Sequence, residues 1–162
     1  MATGPITGKS DAFANALMLV LFNNDHAGWA AATNWFGTAA QIPSGPLYIS
    51  LHSADPGETG TQATSEVSYT TYARQSITRA DATGWAVNGT DPKSVTNVSA
   101  ISFPTCTAGS AVATHFGVGL GASGATELMY SGALSSGSLN IISTPVQIAP
   151  VFAAGALTIT ED

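Results

Sequence analysis

The sequence predicts a mainly β protein, a jelly-roll-like β-sandwich with one N-terminal α-helix. From residue 45 onward, short runs of alternating apolar and polar residues are separated by Gly- and Pro-containing turns at fairly regular spacing, which is typical of sandwiches and barrels. Before residue 45, the main apolar run has helical spacing instead. These observations divide the chain into residues 1–44, with an arm, an amphipathic helix and an aromatic segment, and residues 45–162, the β-sandwich domain.

The helix is predicted to begin at Ser10 or Asp11, either of which suits an N-cap, and to end near residue 22 or 23. One face carries apolar residues at i, i+3, i+4, i+7 and i+8 spacing, namely Phe13, Ala16, Leu17, Val20 and Leu21. Because Met18 and Leu19 extend the apolar surface beyond this face, we expect burial on more than one side. The helix would then close the end of the sandwich or pack against its copy in an oligomer.

Two segments flank the helix. Residues 1–8 form a small, Gly- and Pro-containing arm that we expect to be ordered only when something holds it. Residues 28–37 place Trp29, Trp35 and Phe36 close together. Such an aromatic group serves either as a contact patch on a partner or as a lid over the core, and the sequence leaves both alternatives open.

Residues 45–79 contain two predicted strands joined by a long polar loop. In the first strand, apolar Leu47, Ile49 and Leu51 alternate with polar residues, which predicts one buried face. Pro56 and Gly57 end this strand, since proline lacks a backbone donor and glycine suits a turn. The loop continues to residue 68 with small polar residues, and the second strand follows.

The second strand is bracketed by two arginines, Arg74 and Arg79, and the preceding loop holds the acids Asp55, Glu58 and Glu66. We predict that Arg74 pairs with one of these carboxylates and so fixes the loop to the sheet. A planar guanidinium suits this role because it can donate two parallel hydrogen bonds to one carboxylate.

Most of the remaining chain also has strand character. A tight turn is predicted at Asn88-Gly89, another turn at Asp91-Pro92, and a hairpin about the glycine-rich residues 121–124. The further strands are predicted at residues 85–87, 95–103, 113–120, 127–130, 139–142, 146–148 and 156–160.

Charge is scarce in this sequence. Charged residues make up 9% of the chain, against roughly 25% in an ordinary soluble domain. Because interface cores are depleted in charge, this composition favours a surface covered by neighbouring subunits over an exposed Ser- and Thr-rich β surface. The net charge of −6 and the four scattered cations argue against direct binding of nucleic acid.

The cellular context follows from the cysteine count and the apolar runs. The single cysteine, Cys106, cannot form an intrachain disulfide and is expected to be a buried small hydrophobe. The apolar run at residues 12–22 has no convincing cleavage site and is too short to span a bilayer. We expect a chain that is made in the reducing cytoplasm and does not bind a membrane.

No catalytic, cofactor-binding or metal site is predicted. His52 lies three residues before Asp55 and six before Glu58, but this spacing matches no metal-binding motif. On a strand whose other face is apolar, His52 is expected on the outer face or in an interface. Residues 121–127, GASGATE, lack the P-loop lysine, and no G-x-S-x-G motif is present.

Several segments resemble a family of small bacteriophage virion proteins. Members begin with a short amphipathic helix, and their first strand runs into an L-[HF]-[ST]-A-D-P-[GT] turn, here residues 51–57. A loop with Y-A-R follows, here residues 72–74, and the chain ends with an F-x-A-G-A-L-x-[IV] strand, here residues 152–159. The resemblance covers most of the chain from residue 45. The segment at residues 25–41 is longer than the corresponding segment usually is in the family.

The resemblance implies a virion component, variously a tail fibre, a minor tail protein or a head decoration protein. We expect a homo-oligomer, with a trimer favoured, that acts as a capsid decoration or cement protein bridging major capsid subunits. The alternative is a tail fibre or minor tail protein that attaches to the host surface, with Tyr48, Tyr69 and Trp85 either stacking on sugars or packing in the core. The residues predicted to contact partners are Phe13, Leu17, Met18, Trp29, Trp35, Phe36, Asp55, Glu58 and Arg74.

Overall fold

The computed structural model describes residues 10–25, 45–88 and 93–161. Within these residues the protein is mainly β with one helix, as predicted. The elements in chain order are α1 (Asp11–Asn23), β1 (Leu47–His52), β2 (Gln75–Ile77), β3 (Trp85–Asn88), β4 (Lys93–Asn97), β5 (Ile101–Ser102), β6 (Ser110–Ala113), β7 (His115–Gly119), β8 (Leu128–Ala133), β9 (Leu139–Ile142), β10 (Val151–Phe152) and β11 (Thr158–Glu161).

The strands form several antiparallel sheets, consistent with the predicted β-sandwich. The largest sheet has the order β2-β1-β7-β8, and a second sheet has the order β11-β4-β3. Two small sheets pair β10 with β5 and β6 with β9. In the largest sheet, β1 pairs with β7 from Tyr48↔Gly119 to His52↔His115. The predicted hairpin is present as β7 and β8.

Helix α1 has the predicted ends. The Ser10 hydroxyl accepts a hydrogen bond from the Phe13 amide at 3.3 Å, which is N-cap geometry. Asn24 follows the helix in the left-handed conformation, as is common at C-caps. The Arg79 guanidinium donates to the carbonyls of Val20 and Leu21 near the C-terminal end of α1. A cation is favourable there because the dipole of the helix places partial negative charge at that end.

The buried face of α1 overlaps the predicted one only in part, because Val20 is buried at 3% exposed as predicted, whereas other residues of that face are not. Ala14, Met18 and Phe22, at i, i+4 and i+8, are at most 3% exposed, whereas Phe13 is 36% exposed and Leu17 is half-buried. The helix is apolar on nearly all sides, so its spacing does not determine which face meets the core. The Phe22 ring packs edge-on against the Trp85 ring, with centroids 4.9 Å apart, and this contact selects the face.

The strand predicted at residues 95–103 is divided between β4 and β5, which belong to different sheets. The strand predicted at residues 146–148 is wrong. Residues 146–148 are irregular, and the nearby strand is β10 instead. The Ile148 amide donates to the Ile142 carbonyl, and the Ile148 carbonyl accepts from the Cys106 amide. Residues 146–148 therefore contact Ile142 and Cys106 through single backbone hydrogen bonds and do not form a β-ladder. Cys106 is fully buried, as predicted.

Four further predictions fall wholly or partly beyond the described part of the chain. Residues 1–8, the 28–37 aromatic segment and the two turns at residues 88–92 lie outside it, apart from Asn88. The division at residue 44 stays a prediction. In the described ranges, no helix combines the length and the apolar character that crossing a membrane requires.

Candidate functional site

The site is built on the polar face of β1. Ser50 and His52 lie opposite the apolar face formed by Leu47, Ile49 and Leu51, yet both are 0% exposed. The loop at residues 53–68 folds back over them, with the Ser53 amide donating to Ser65 O at 2.8 Å and the Val67 amide donating to Leu51 O at 2.9 Å. The prediction that His52 lies on the outer face or in an interface is therefore wrong, because the loop of the same chain covers that face.

Arg74 fixes this loop through Glu66, as predicted. Its Nε donates to Glu66 Oε1 and its second terminal nitrogen donates to Glu66 Oε2, both at 2.7 Å. The Arg74 side chain is 2% exposed and that of Glu66 is 17% exposed. The two hydrogen bonds to Glu66 raise the pKa of the guanidinium above its ordinary value, so Arg74 carries a permanent charge in a buried position.

The same guanidinium also binds the turn between β7 and β8. It donates to the carbonyls of Gly121 at 2.9 Å and Gly124 at 2.8 Å, and to Thr126 Oγ1 at 3.0 Å. One arginine therefore joins the 53–68 loop to a turn whose Gly124 lies 50 residues beyond Arg74 in sequence. A lysine offers no comparable planar set of donors.

Gln62 completes this network from inside the 53–68 loop. Its side chain is fully buried, and Nε2 donates to Tyr48 O on β1 at 3.0 Å. Its Oε1 accepts from the Gly121 amide at 3.0 Å and from Thr126 Oγ1 at 2.8 Å. We call Gln62, Glu66, Arg74 and Thr126 the loop clamp, since their hydrogen bonds hold the loops at 53–68 and 120–127 against β1.

Tyr72 ties the loop clamp to the apolar core. Its hydroxyl donates to Glu66 Oε1 at 2.9 Å and accepts from the Leu51 amide at 3.0 Å. Its ring is stacked on that of Phe103, with a centroid separation of 6.1 Å. Burial raises the pKa of Tyr72, so the hydroxyl stays protonated and remains a donor.

Ser50 and His52 have the separation of a nucleophile and its base. Ser50 Oγ lies 2.8 Å from His52 Nε2, and His52 Nδ1 lies 2.8 Å from the Thr64 carbonyl. Burial lowers the pKa of His52, against smaller opposing effects of Thr64 and Glu66. Catalysis also needs access for a substrate, and both side chains are fully buried. The pair therefore serves as hydrogen-bonded packing beneath the loop.

Asp55 and Glu58 lie on the outer side of the same loop and are exposed. Asp55 Oδ1 accepts from the Gly57 amide at 3.0 Å, which stabilises the turn. Together with Gly57, Gly60 and residues 128–131 of β8, both acids line a shallow cleft of about 330 Å³. The loop thus presents Asp55 and Glu58 outward, while the loop clamp binds it from within.

The charged side chains are sorted by sign. Arg74, Arg79 and Lys93, the cations of the described ranges, are each at most 8% exposed. Where burial is described, every exposed charged side chain is acidic, and these are Asp25, Asp55, Glu58, Asp81 and Glu127. Composition predicts a low charge for the exterior but not this separation of signs.

The predicted contact residues occupy different environments. Phe13, Asp55 and Glu58 are exposed and Leu17 is half-buried. Met18 and Arg74 are buried inside their own chain, so their influence on a partner would act through the elements they hold. Trp29, Trp35 and Phe36 lie outside the described residues. The role of all these residues in partner contacts stays a prediction.

Two of the three aromatics considered for sugar stacking pack in the core. Trp85 is 0% exposed and Tyr69 is 7% exposed, so neither offers a ring face to a sugar, whereas Tyr48 is half-buried. In the described part of the chain, no group of three or more His, Cys, Asp or Glu residues could hold a metal ion.

Sequence reasoning missed Gln62 and Thr126. Both belong to runs of small polar residues that read as solvent-exposed loops, and neither sits in a recognisable motif. The size of Gln62 could have identified it as a site residue, since it is the bulkiest uncharged polar residue in its loop. Long polar side chains in a loop of small residues are candidates for buried anchors.

Comparison with known proteins gives a match that covers the residues of the loop clamp. No curated protein matches the chain. The family described as Podophage GP4 fiber I protein gp80 matches residues 24–160, which is most of the chain and includes the loop clamp. This match confirms the resemblance to phage virion proteins, and the protein is located in the virion. The chain belongs to this family of phage structural fibre proteins.

Proposed function

We propose that the chain is the subunit of a phage fibre that attaches to the tail and takes part in contact with the host surface. The match of residues 24–160 to a fibre protein family carries this proposal. We further propose that the subunit is a homo-oligomer, with a trimer favoured, and that tail proteins are its partners on the particle.

The geometry of the loop clamp suits this role. Binding residues are often on loops held by a rigid scaffold, and here Arg74 and Gln62 anchor two loops to the same sheet. The exposed side of these loops carries Asp55, Glu58 and Glu127. A fibre tip gains affinity from repetition, because several weak contacts presented together bind with high avidity.

We propose a structural role without catalysis. The Ser50–His52 pair, which has the spacing of a nucleophile and its base, is covered by the 53–68 loop. Incubation of the purified protein with host polysaccharide should release no reducing ends above the level of a heat-denatured sample. Measurable release would assign it to the depolymerases instead.

The second candidate is a capsid decoration protein that bridges major capsid subunits. Large apolar side chains are exposed on several separate elements, namely Val112, Leu120, Val146 and Val151. Contacts spread over several surfaces suit a subunit that touches more than one neighbour, and binding only to the assembled shell would stabilise it.

The location and copy number of the protein decide between these candidates. Labelled antibody and a particle reconstruction by electron microscopy should place the protein on the tail, in a handful to tens of copies. Hundreds of copies on the head, with loss of heat resistance when the protein is removed, would establish the decoration role. Absence from purified particles would contradict both candidates.

A further inference from the structure

An apolar cleft opens beside the apolar face of β1 and β7. Its volume is about 350 Å³, and it is lined by residues of β1, β7, β8, β9, β10 and β11 and of the segments that adjoin them. Two lining residues, Leu51 and Leu157, belong to the hydrophobic core and are each 1% exposed. The cleft is therefore a place where the core can be reached from outside.

The rim of the cleft is aromatic and aliphatic. Phe116 and Phe152 are half-buried, and their rings meet edge-on with centroids 6.1 Å apart. Val151, next to Phe152 on β10, is 54% exposed. Apolar surface left in water costs free energy in proportion to its area, and exposed apolar patches often mark interaction sites. A partner that covered this rim would recover that free energy.

Charge is nearly absent from this part of the sequence. Between Lys93 and Glu161, the single charged residue is Glu127, and none of the described residues that line the cleft is charged. Asp55 and Glu58 belong to the loop that covers the opposite face of β1. Glu127 precedes β8, whereas the other end of that strand lines the cleft. The cleft is thus separate from the acidic loops.

We propose that a second copy of this chain covers the cleft. This inference rests on the homo-oligomer proposed above and names the surface through which it forms. Two chains of net charge −6 repel each other, and every exposed charged side chain whose burial is described is acidic. Copies therefore meet most favourably where charge is absent, as in the cores of interfaces. A basic partner would be attracted to the acidic loops instead.

The uncharged stretch supplies both sides of such a contact. Besides the cleft, it carries exposed valines on two strands beside it, Val151 on β10 and Val112 on β6, which pairs with β9. In a closed ring, each copy offers one surface to one neighbour and a different surface to the next. The cleft of one copy then receives apolar side chains from the uncharged surface of the next copy.

The first test compares Val151→Asp with Leu120→Asp in the full chain. The two native side chains are similarly exposed, at 54% and 49%, so both variants should fold, which circular dichroism verifies. Leu120 does not line the cleft, and its amide binds the Glu127 carbonyl. Sedimentation velocity over a concentration series measures association. Val151→Asp should weaken it about tenfold or more, because an unpaired carboxylate is costly to bury, whereas Leu120→Asp should change it by less than about twofold.

The second test fills the cleft without adding charge. Ala156 is exposed and lines the cleft, whereas Ala154 is exposed in the same turn and does not line it. Ala156→Trp should block the partner's side chains and again weaken association about tenfold or more, since overpacking a contact is destabilising. Ala154→Trp is the matched control and should associate like the native chain.

The outcomes separate this interface from the proposed function. A native oligomer that both Val151→Asp and Ala156→Trp leave intact would overturn the interface alone and leave the cleft to a small apolar ligand or to a different protein. Equal weakening by a variant and its control would also overturn it, because the effect would not be specific to the cleft. A native chain that stays monomeric at every concentration would contradict the homo-oligomer and, with it, this interface.

Discussion

The two faces of β1 are stabilised in different ways. On one face, Leu47, Ile49 and Leu51 join a continuous apolar core with Phe22 and Trp85. On the other face, buried Ser50 and His52 lie beneath a loop that a single guanidinium and a single amide attach to the sheet. All five of these β1 residues are buried, but the first face is held by many non-directional contacts and the second by a few directional hydrogen bonds.

This difference determines how each face should respond to substitution. An apolar core tolerates changes of shape when volume is kept, because its contacts are numerous and interchangeable. A buried polar network tolerates little, since one missing partner leaves several donors or acceptors unsatisfied. Five substitutions, each with its measurement, test the contrast.

The largest effect is expected on the apolar face, for Trp85→Ala. The Trp85 side chain is fully buried and packs against the Phe22 ring, so truncation should lower the free energy of unfolding by about 4 kcal/mol. Urea denaturation followed by circular dichroism measures this change. Val146→Ala is the matched control, because Val146 is 63% exposed and its truncation should change the stability by less than about 0.5 kcal/mol. Equal losses would show that Trp85 does not organise the core.

Arg74→Met should cost slightly less, about 3 kcal/mol, because it leaves the Glu66 carboxylate partly buried without its counter-charge. The double variant Arg74→Met/Glu66→Leu should recover part of this loss, since it removes both charges. Chemical denaturation of the single and double variants provides the measurement. If the loss of unfolding free energy in the double variant equalled the sum of the losses in the two single variants, the two residues would not act as a pair.

Arg74→Lys separates charge from geometry at the same position. Lysine keeps the positive charge but cannot donate to Glu66, Gly121 and Gly124 in one plane. Both clamped loops should therefore become more accessible to a glutamate-specific protease, with cleavage at Glu58 and Glu127 faster than in the native chain. Unchanged cleavage rates at both sites would mean that the fork geometry does not restrain the loops.

Gly119→Ala probes the closest approach between the loop clamp and β7. A Cβ at residue 119 would lie 2.2 Å from the Glu127 carbonyl and 2.3 Å from Gln62 Cδ, so the loop must shift, at a cost of about 2 kcal/mol. Gly45→Ala is the control, because a Cβ there meets nothing within 4 Å. Thermal unfolding of both variants measures the difference. Similar melting temperatures would show that the loop moves freely away from β7.

The sequence predicts one face of β1 well and the other poorly. Alternation identifies Leu47, Ile49 and Leu51 as buried, because a sheet with one apolar face must bury it. The same alternation places His52 outside, since period-2 patterning describes only the strand itself and not what covers its second face. The cover is the polar loop at residues 53–68, whose composition resembles that of an exposed loop.

The loop clamp was predictable in part. The scarcity of cations and the three acids before Arg74 led correctly to an ion pair, because a planar guanidinium can donate two parallel hydrogen bonds to one carboxylate. The choice of Glu66 depends on the backward fold of the loop, and the link to Gly121 and Gly124 depends on the pairing of β1 with β7. Such long-range register is absent from local patterns. The same limit applies to α1, where contact with Trp85 selects a face that spacing leaves open.

The smallest expected effect is a pH dependence of the free energy of unfolding. It should originate on the polar face of β1, which carries His52, and not on the apolar face. Burial lowers the pKa of His52 below its ordinary value of 6.5, so below that pH the unfolded chain binds a proton that the folded chain resists. The free energy of unfolding should therefore be highest above pH 6.5 and fall as the pH drops toward the lower folded pKa. His52→Gln should remove this part of the pH dependence. Urea titrations at pH 7.5 and pH 5 measure it, with His115→Gln, the paired position on β7, as the control. The explanation fails if His115→Gln flattens the profile as much as His52→Gln, because the polar face of β1 would then not be the origin of the slope.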